Sequence, residues 1–333
     1  MNHPAINSET RRKFDGAATR RWRQRLLTWY DHNRRDLPWR QNRDPYRVWL
    51  SEIMLQQTRV SAVLEHYRRF LQRFPNLQKL ASARESSVLA AWSGLGYYRR
   101  ARMMHAAAKA IVKQHAGKFP GQVAELRALP GIGRYTAAAI ASIVFDLPAA
   151  VVDGNVERVL GRVFGAGLVG EPLWHVAGEL LSRDRPGDCN QAIMELGATV
   201  CLPRQPRCSI CPVFSLCATR GTLDAPRKPA RQRRRDIYYA LDHRKSSVFL
   251  VQRPKDASLM PGMWELPEIP VTSAPGDAGL TVRHSITVTD YTVRVMRGPA
   301  TVDSGGRWVA KTRVPTLPLT GLTRKILRQA QVI

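Results

Sequence analysis

At 333 residues the chain is long enough for two ordinary domains, each with its own core. Hydrophobic residues at 44% and charged residues at 23% exclude a disordered or fibrous chain. The charge is lopsided: 52 Lys and Arg face 26 Asp and Glu, for a formal +26, so nucleic acid is the first partner to consider. Charge alone leaves a ribosome-associated or merely solvated basic surface open.

Residues 1 to about 20 are polar, and loose order is expected there. Arg11–Lys13 is not followed by the apolar core of a signal peptide, and no window reaches the roughly 18 apolar residues of a membrane helix. A cytoplasmic protein is therefore expected, with no membrane partner, in a compartment where thiols stay reduced. From Trp22 to about Phe145 the pattern is helical, with breaks at Asp36–Pro38, Phe74–Pro75, Gly94–Gly96, Phe119–Gly121 and Pro130–Gly133. Glu52 sits in Ser51-Glu-Ile-Met-Leu-Gln-Gln-Thr58 after the apolar Val48-Trp-Leu50. Partial burial there raises a carboxyl pKa and suits a general acid, whereas an exposed first-turn glutamate is the commoner fate of Ser-Glu on a helix.

Leu129-Pro-Gly-Ile-Gly-Arg-Tyr-Thr136 joins two helical stretches through Gly131 and Gly133. The glycines permit a tight turn and close approach to a phosphate, although an ordinary helix–helix corner fits as well. Twenty residues after Gly133 comes Val151-Val-Asp153-Gly-Asn155, ahead of a helical 154–164. Asp153 is placed to cap that helix, and a carboxylate held at a helix start also suits stabilisation of a cation. Helical patterns follow over 172–182 and 188–200.

The cysteine segment is Cys201-x6-Cys208-x2-Cys211-x5-Cys217, four of the five cysteines within 17 residues. Metal ligands are expected rather than disulfides. Four thiolates complete an iron–sulfur cubane, and they also suit tetrahedral zinc. Zinc sites usually pair two short Cys-x2–4-Cys turns and only one exists here, so the spacing favours the cluster. Cys189 lies outside the pattern and reads as a small buried hydrophobe.

Residues 225–235, with six basic residues, two prolines and no acid, read as a linker. Beyond it Ile237–Leu241 and Val248–Val251 are strand-like, with a hairpin turn expected through His243–Lys245. Thr281–Val295 is strand-like too, and Leu322–Gln329 suits a closing helix. A mostly helical domain thus precedes a smaller α+β domain.

The cysteine segment, the Leu129–Thr136 hairpin and the Glu52 octapeptide together resemble the endonuclease III and MutY family of DNA glycosylases. The resemblance implies a mainly α helix–hairpin–helix glycosylase domain over 20–224, including the iron–sulfur cluster loop 201–217. The basic linker 225–235 and a Nudix-like α+β domain over 236–330 follow, the latter matched best by Met260-Pro-Gly-Met-Trp-Glu-Leu-Pro267. It implies one [4Fe–4S] cluster on Cys201, Cys208, Cys211 and Cys217. Glu52 is implied as the general acid and Asp153 as the catalytic aspartate, with Tyr135 and Asn155 orienting them. Trp39 and Arg40, in Leu-Pro-Trp-Arg, and Gln191 match the family's adenine pocket.

Gln57 matches the wedge that fills the gap left by an extruded base. Tyr97 matches a residue stacking beside a damaged guanine, and Gly131 and Gly133 the DNA-gripping hairpin. Lyase relatives carry a lysine at position 135. Tyr135 cannot form their Schiff base, so a monofunctional enzyme is expected. In the damage-reading loop Ile286-Thr287-Val288 replaces the family's Phe-Ser-His; Thr287 keeps a hydroxyl and Val288 lacks the histidine. After Glu265 and Glu268 no glutamate remains to hold magnesium, so nucleotide hydrolysis is not expected.

The expected function is excision of adenine opposite 8-oxoguanine or guanine in double-stranded DNA, by a monomer working on the nucleoid. Two rivals stand beside it: a glycosylase for thymine opposite guanine, and a non-catalytic DNA-binding redox sensor, which gives Glu52 and Asp153 no task.

Overall fold

Asp15 opens a helix earlier than the polar N-terminus suggests. Its side chain accepts from the Ala18 N–H at 2.7 Å, and α1 (Gly16–Asn33) then buries Trp22, Leu26 and Tyr30 at i, i+4 spacing. The structure, a computed structural model, describes residues 15–165, 168–222, 233–270, 279–286, 289–299 and 305–333. Of the linker expected at 225–235, residues 225–232 lie outside the described residues, while Arg233–Arg235 belong to a strand (Arg233–Leu241) rather than to a linker.

In chain order the next helices are α2 (Pro45–Leu55), α3 (Val60–Arg73), α4 (Leu77–Ala81), α5 (Glu85–Trp92) and α6 (Tyr98–Gln114). They continue with α7 (Val123–Ala128), α8 (Arg134–Phe145), α9 (Gly154–Phe164), α10 (Glu171–Leu180) and α11 (Pro186–Thr199). Asp44 caps α2 through the Arg47 N–H, and Pro45 takes the first helical position, where its missing N–H is harmless. The expected breaks all fall between helices. The chain also breaks at Gln56–Arg59 and Ser82–Arg84, where no proline announces it.

The chain divides into two compact units, Met1–Gln56 with Ala110–Pro226, and Gln57–Lys109 with Arg227–Ile333. In the first, α11 packs on α1, α8 and α9. Ile193 and Leu196 of α11 are buried against Val156, Leu160 and Leu26 in one core, each side chain contributing on the order of 1.5–3 kcal/mol. Close approach explains one glycine: a Cβ on Gly197 would sit 2.6 Å from that of Asn155, so only glycine lets α11 meet the start of α9. Cys189 is fully buried in this core, as a small hydrophobe.

In the second unit, strands β1 (Arg233–Leu241), β2 (Ser247–Gln252), β3 (Trp264–Glu265), β4 (Glu268–Ile269), β5 (Leu280–Ile286), β6 (Thr289–Arg297) and β7 (Arg307–Ala310) form two sheets, ordered β4-β1-β6-β5 and β3-β2-β7. β1 and β6 run parallel; the other ladders are antiparallel. Val248, Val293 and Val295 share a core with Leu322, Ile326 and Leu327 of the closing helix α12 (Gly321–Gln329). The reversal expected at His243–Lys245 exists, with the Arg244 N–H bonded to Ser247 O at 2.8 Å. The Phe249 N–H bonds Asp242 O at 2.9 Å and His243 pairs antiparallel with Val248, so the hairpin turn forms, but its pairing stops there: β1 and β2 themselves enter different sheets, β1 in a nine-residue parallel register with β6.

Helical and sheet parts of this unit lock together through buried polar groups. The Leu319 carbonyl accepts from Ser93 Oγ at 2.8 Å and Tyr98 Oη at 3.0 Å, and Arg102 donates to Pro261 O at 2.6 Å. Among the described residues no helix is long and apolar enough to cross a membrane.

Candidate active site and cysteine centre

Glu52 lies near the end of α2, on a stretch whose neighbours Leu50, Ile53 and Met54 are core residues. It is only 7% exposed, and of its two fates burial is the real one. Tyr135, in the first turn of α8, donates its hydroxyl to Glu52 Oε2 at 2.7 Å and approaches Met194 Sδ at 3.2 Å. Burial pushes the Glu52 carboxyl up to about 7; the Tyr135 hydrogen bond opposes this, the Asp153 charge adds to it, and Arg40 offsets part. Tyr135 itself is raised well above its usual value, by burial first and then by the Glu52 and Asp153 charges, so it remains a donor.

Asp153 caps α9, as its position before that helix suggested. Oδ1 accepts from the N–H groups of Asn155 at 3.0 Å and Val156 at 2.8 Å, and Oδ2 from Asn155 Nδ2 at 3.1 Å. The segment leading to it is tethered by buried Asn190, whose side-chain oxygen accepts from the Val151 N–H at 3.2 Å. Both carboxylates are thus fixed from two sides, one by a phenol and one by a helix start.

Trp39, Arg40 and Gln191 line one cavity of about 180 Å³, together with Tyr30 and Asn42. Arg40 is immobilised: Nη2 donates to Glu195 Oε2 at 2.9 Å and Nη1 to Arg35 O at 3.2 Å. Glu195, 1% exposed, also takes Arg35 Nε at 2.6 Å and Nη2 at 2.9 Å. Burial works against its charge, yet the two guanidinium groups leave its pKa below the ordinary value. Sequence reasoning gave Glu195 and Arg35 no role. The available signal was an acid four residues after Gln191, one turn on along the same helix and so on the same face.

The hairpin joins α7 and α8. Gly131 has φ +73° and needs to be glycine; Gly133, extended at φ −85°, does not, and instead leaves the start of α8 unobstructed. In the second unit, Gln57 at φ 55° and Tyr97 at φ 46° are exposed residues in left-handed backbone. Non-glycine residues adopt that conformation rarely, and such strain clusters at binding sites. Tyr97 is 48% exposed, with the Arg100 guanidinium 5.4 Å from its ring centre. Thr287 and Val288 lie outside the described residues; the flanking Ser285 Oγ donates to Asp290 Oδ1 at 2.6 Å.

Cys201, Cys208, Cys211 and Cys217 line one cavity with Val159, Leu196 and Val213. Burial first, then the Cys201 and Cys217 thiolates, push the Cys208 thiol up; burial takes Cys211 up to about 11, against a backbone hydrogen bond at Val213. A positively charged group among them relieves that repulsion, so the donor set fits a thiolate-bound metal centre. Among the described residues no group of three such side chains is gathered as a single-ion site. Arg162 donates to Cys201 Sγ at 3.3 Å and Leu202 O at 2.7 Å. Arg158 reaches both ways, to Cys201 O at 2.8 Å and Asn155 Oδ1 at 2.7 Å, tying the cysteine loop to the residue that holds Asp153.

Residues 50–168 match the HhH-GPD superfamily of base excision DNA repair proteins. An adenine DNA glycosylase of Mus musculus is 42% identical over 318 residues, covering 77% of this chain; the chain spans 62% of that protein's length, under two thirds. One from Schizosaccharomyces pombe is 33% identical over 319 residues, covering 75% of this chain and 69% of the relative. Among solved structures, a thermostable thymine-DNA glycosylase is 29% identical with a TM-score of 0.58, covering 64% of this chain and 99% of the other. With its helix–hairpin–helix, its paired carboxylates and a relative matched over more than two thirds of its length, the chain belongs to the adenine DNA glycosylase family.

Proposed function

We propose that the protein is a monofunctional glycosylase that extrudes adenine opposite 8-oxoguanine or guanine and hydrolyses its N-glycosidic bond. One observation carries the reading: a buried carboxyl, Glu52, poised near neutrality beside a second carboxylate. A general acid works best with a pKa near the working pH, and Glu52 is in that range. Its proton passes to an adenine ring nitrogen, the C1′–N bond breaks with its electron pair going to the base, and the Asp153 carboxylate stabilises the sugar cation. Glu52, now ionised, takes a proton from the water that adds to C1′. Tyr135 holds Oε2 of Glu52, and Asn155 holds Oδ2 of Asp153.

Trp39, Arg40 and Gln191 receive the base. Gln57 fills the gap it leaves, Tyr97 stacks beside the opposite guanine, and the Gly131–Gly133 hairpin grips the backbone. Cys201, Cys208, Cys211 and Cys217 would hold one [4Fe–4S] cluster, which braces the loop and the α9 start it is tied to. Zinc sites usually pair two short Cys-x2–4-Cys turns, and only Cys208-x2-Cys211 is of that kind here, which supports the cluster over zinc.

Residues 236–330 serve as a Nudix-like reader of 8-oxoguanine, with Thr287 in its contact loop. Hydrolysis of nucleotides is not part of this reading, since both oxygens of Glu265 accept from Arg253 at 2.7 and 2.9 Å.

The likeness to a thymine-DNA glycosylase favours a second reading, thymine opposite guanine. Single-turnover base release from four duplexes, adenine or thymine against guanine or 8-oxoguanine, separates the two. Adenine release is expected, and lost in Glu52→Gln with mispair binding retained. Full excision by that variant overturns the mechanism.

A further inference from the structure

Gln57 and Tyr97 share an uncommon backbone. At φ 55° and φ 46° both hold left-handed conformations that a side chain makes unfavourable, and such residues persist only where their surroundings hold them in place. Arg100, in the first turn of α6, reaches both segments. Its Nη2 donates to Leu95 O at 3.1 Å and Gly96 O at 3.4 Å, just before Tyr97, and to Thr58 Oγ1 at 3.3 Å, just after Gln57. The guanidinium also lies 5.5 Å from the ring centre of buried Trp92 and 5.4 Å from that of Tyr97. Trp92 Nε1 donates to the same Gly96 carbonyl at 3.1 Å. A Cβ on Gly96 would meet nothing within 4 Å, so side-chain packing does not fix the loop there, and the two donors to its carbonyl do. The start of the loop is anchored separately: Ser93 O accepts from His66 Nε2 at 3.3 Å, and Ser93 Oγ donates to Leu319 O at 2.8 Å.

We propose that Arg100 is a positioning residue that ties the Gln57 and Tyr97 segments together, so that wedge and stacking ring enter the duplex as one preset piece. The assignment rests on the roles proposed above for those two residues and adds what holds them. Arg99, the residue before it, is exposed, whereas Arg100 is turned inward. Burial takes its pKa down to about 10, which leaves it cationic at neutral pH and makes its placement unfavourable unless its donors are met. Carbonyls of one segment and a hydroxyl of the other meet them. Presetting matters because extrusion of a base costs a few kcal/mol, and groups already in place offset it without first being ordered.

The test is a double-mutant cycle on an adenine·8-oxoguanine duplex, with Arg100→Met and Tyr97→Ala made singly and together. Extrusion is read from the fluorescence of 2-aminopurine placed at the target adenine, and excision as a single-turnover rate, at a temperature where circular dichroism shows every variant folded. Arg100→Met alone is expected to slow both about tenfold, the order of one hydrogen bond to a charged group. In the Tyr97→Ala background the same change is expected to cost under about threefold, because the ring it positions is gone. Equal losses in the two backgrounds overturn the proposal, since an arginine that merely stabilises the fold or meets a phosphate gives that result. Wild-type extrusion by Arg100→Met overturns it as well. Arg100→Lys, which keeps the charge but not the flat face against the two rings, runs through the same cycle if the methionine variant does not fold. Wild-type rates in Tyr97→Ala alone are a different result: they sink the stacking role of Tyr97, and this tie with it. Failure of the wild-type protein to release adenine sinks the adenine reading instead.

Discussion

Replacing Glu52 by Gln tests the physical basis of the mechanism without any DNA present. A glutamate in the unfolded chain titrates near 4.5, and Glu52 in the folded protein near 7. Between those values the folded state binds the extra proton. The stability Glu52 contributes is therefore complete below the lower value and lost as pH rises through the upper one. A gap of that size corresponds to about 3 kcal/mol, at 1.36 kcal/mol for each pH unit. Glutamine has nearly the same shape, still accepts from Tyr135, and does not titrate. In urea unfolding followed by tryptophan fluorescence, Glu52→Gln should gain on wild type by about 3 kcal/mol between pH 4.5 and 7, and the gain should level off above that. Parallel stability curves would refute the reasoning, because Glu52 would then be an ordinary carboxylate with no proton to give at neutral pH.

Three further outcomes are expected. Asp153→Asn keeps an N-cap residue of equal quality, so the thermal midpoint should scarcely move while adenine excision falls roughly 10²–10³-fold; a large loss of stability with it would make Asp153 structural. Tyr135→Lys puts an amine where the phenol now meets Glu52, and borohydride should trap a covalent DNA adduct; no adduct contradicts the account of position 135. Cys211→Ser should strip visible absorbance and iron from the purified protein, whereas a colourless wild type with one zinc per chain would replace the cluster by a single ion.

Local chemistry was legible in the sequence, and remote partnerships were not. The helix at 154–164, its Asp153 cap and the turn at Gly131 depend on a few adjacent residues and stand where the pattern put them. The α1 start was missed because Asp15 lies in a polar stretch, although one capping carboxylate suffices. The parallel pairing of β1 with β6 joins segments more than fifty residues apart, and nothing in Ile237–Leu241 specifies its partner. Glu195 escaped for the same reason. It is ordinary in its own helix, and what distinguishes it is Arg40, which the chain brings from another segment.

Helix α11 shows why motifs taken one at a time left the site incomplete. Gln191, Met194 and Glu195 fall at i, i+3 and i+4, which places them on one face. From that face Gln191 lines the cavity, Met194 meets the Tyr135 hydroxyl, and Glu195 clamps Arg40. Half a turn further, Gly197 has no side chain, which admits Asn155 and with it the Asp153 cap, while its carbonyl accepts from Arg158 at 2.7 Å. The helix ends just before Cys201, the first residue of the cysteine loop. The cavity, the Tyr135–Glu52 pair, the Asp153 cap and the cysteine loop are therefore all registered against a single 14-residue rod buried on α1, α8 and α9. A rigid, buried element fixes such distances better than loops do, because its own side chains have little freedom to relax. That is the physical reason a carboxyl can be held at an unfavourable pKa here: the surrounding core, and not the carboxyl's own contacts, supplies the stability that keeps Glu52 out of water.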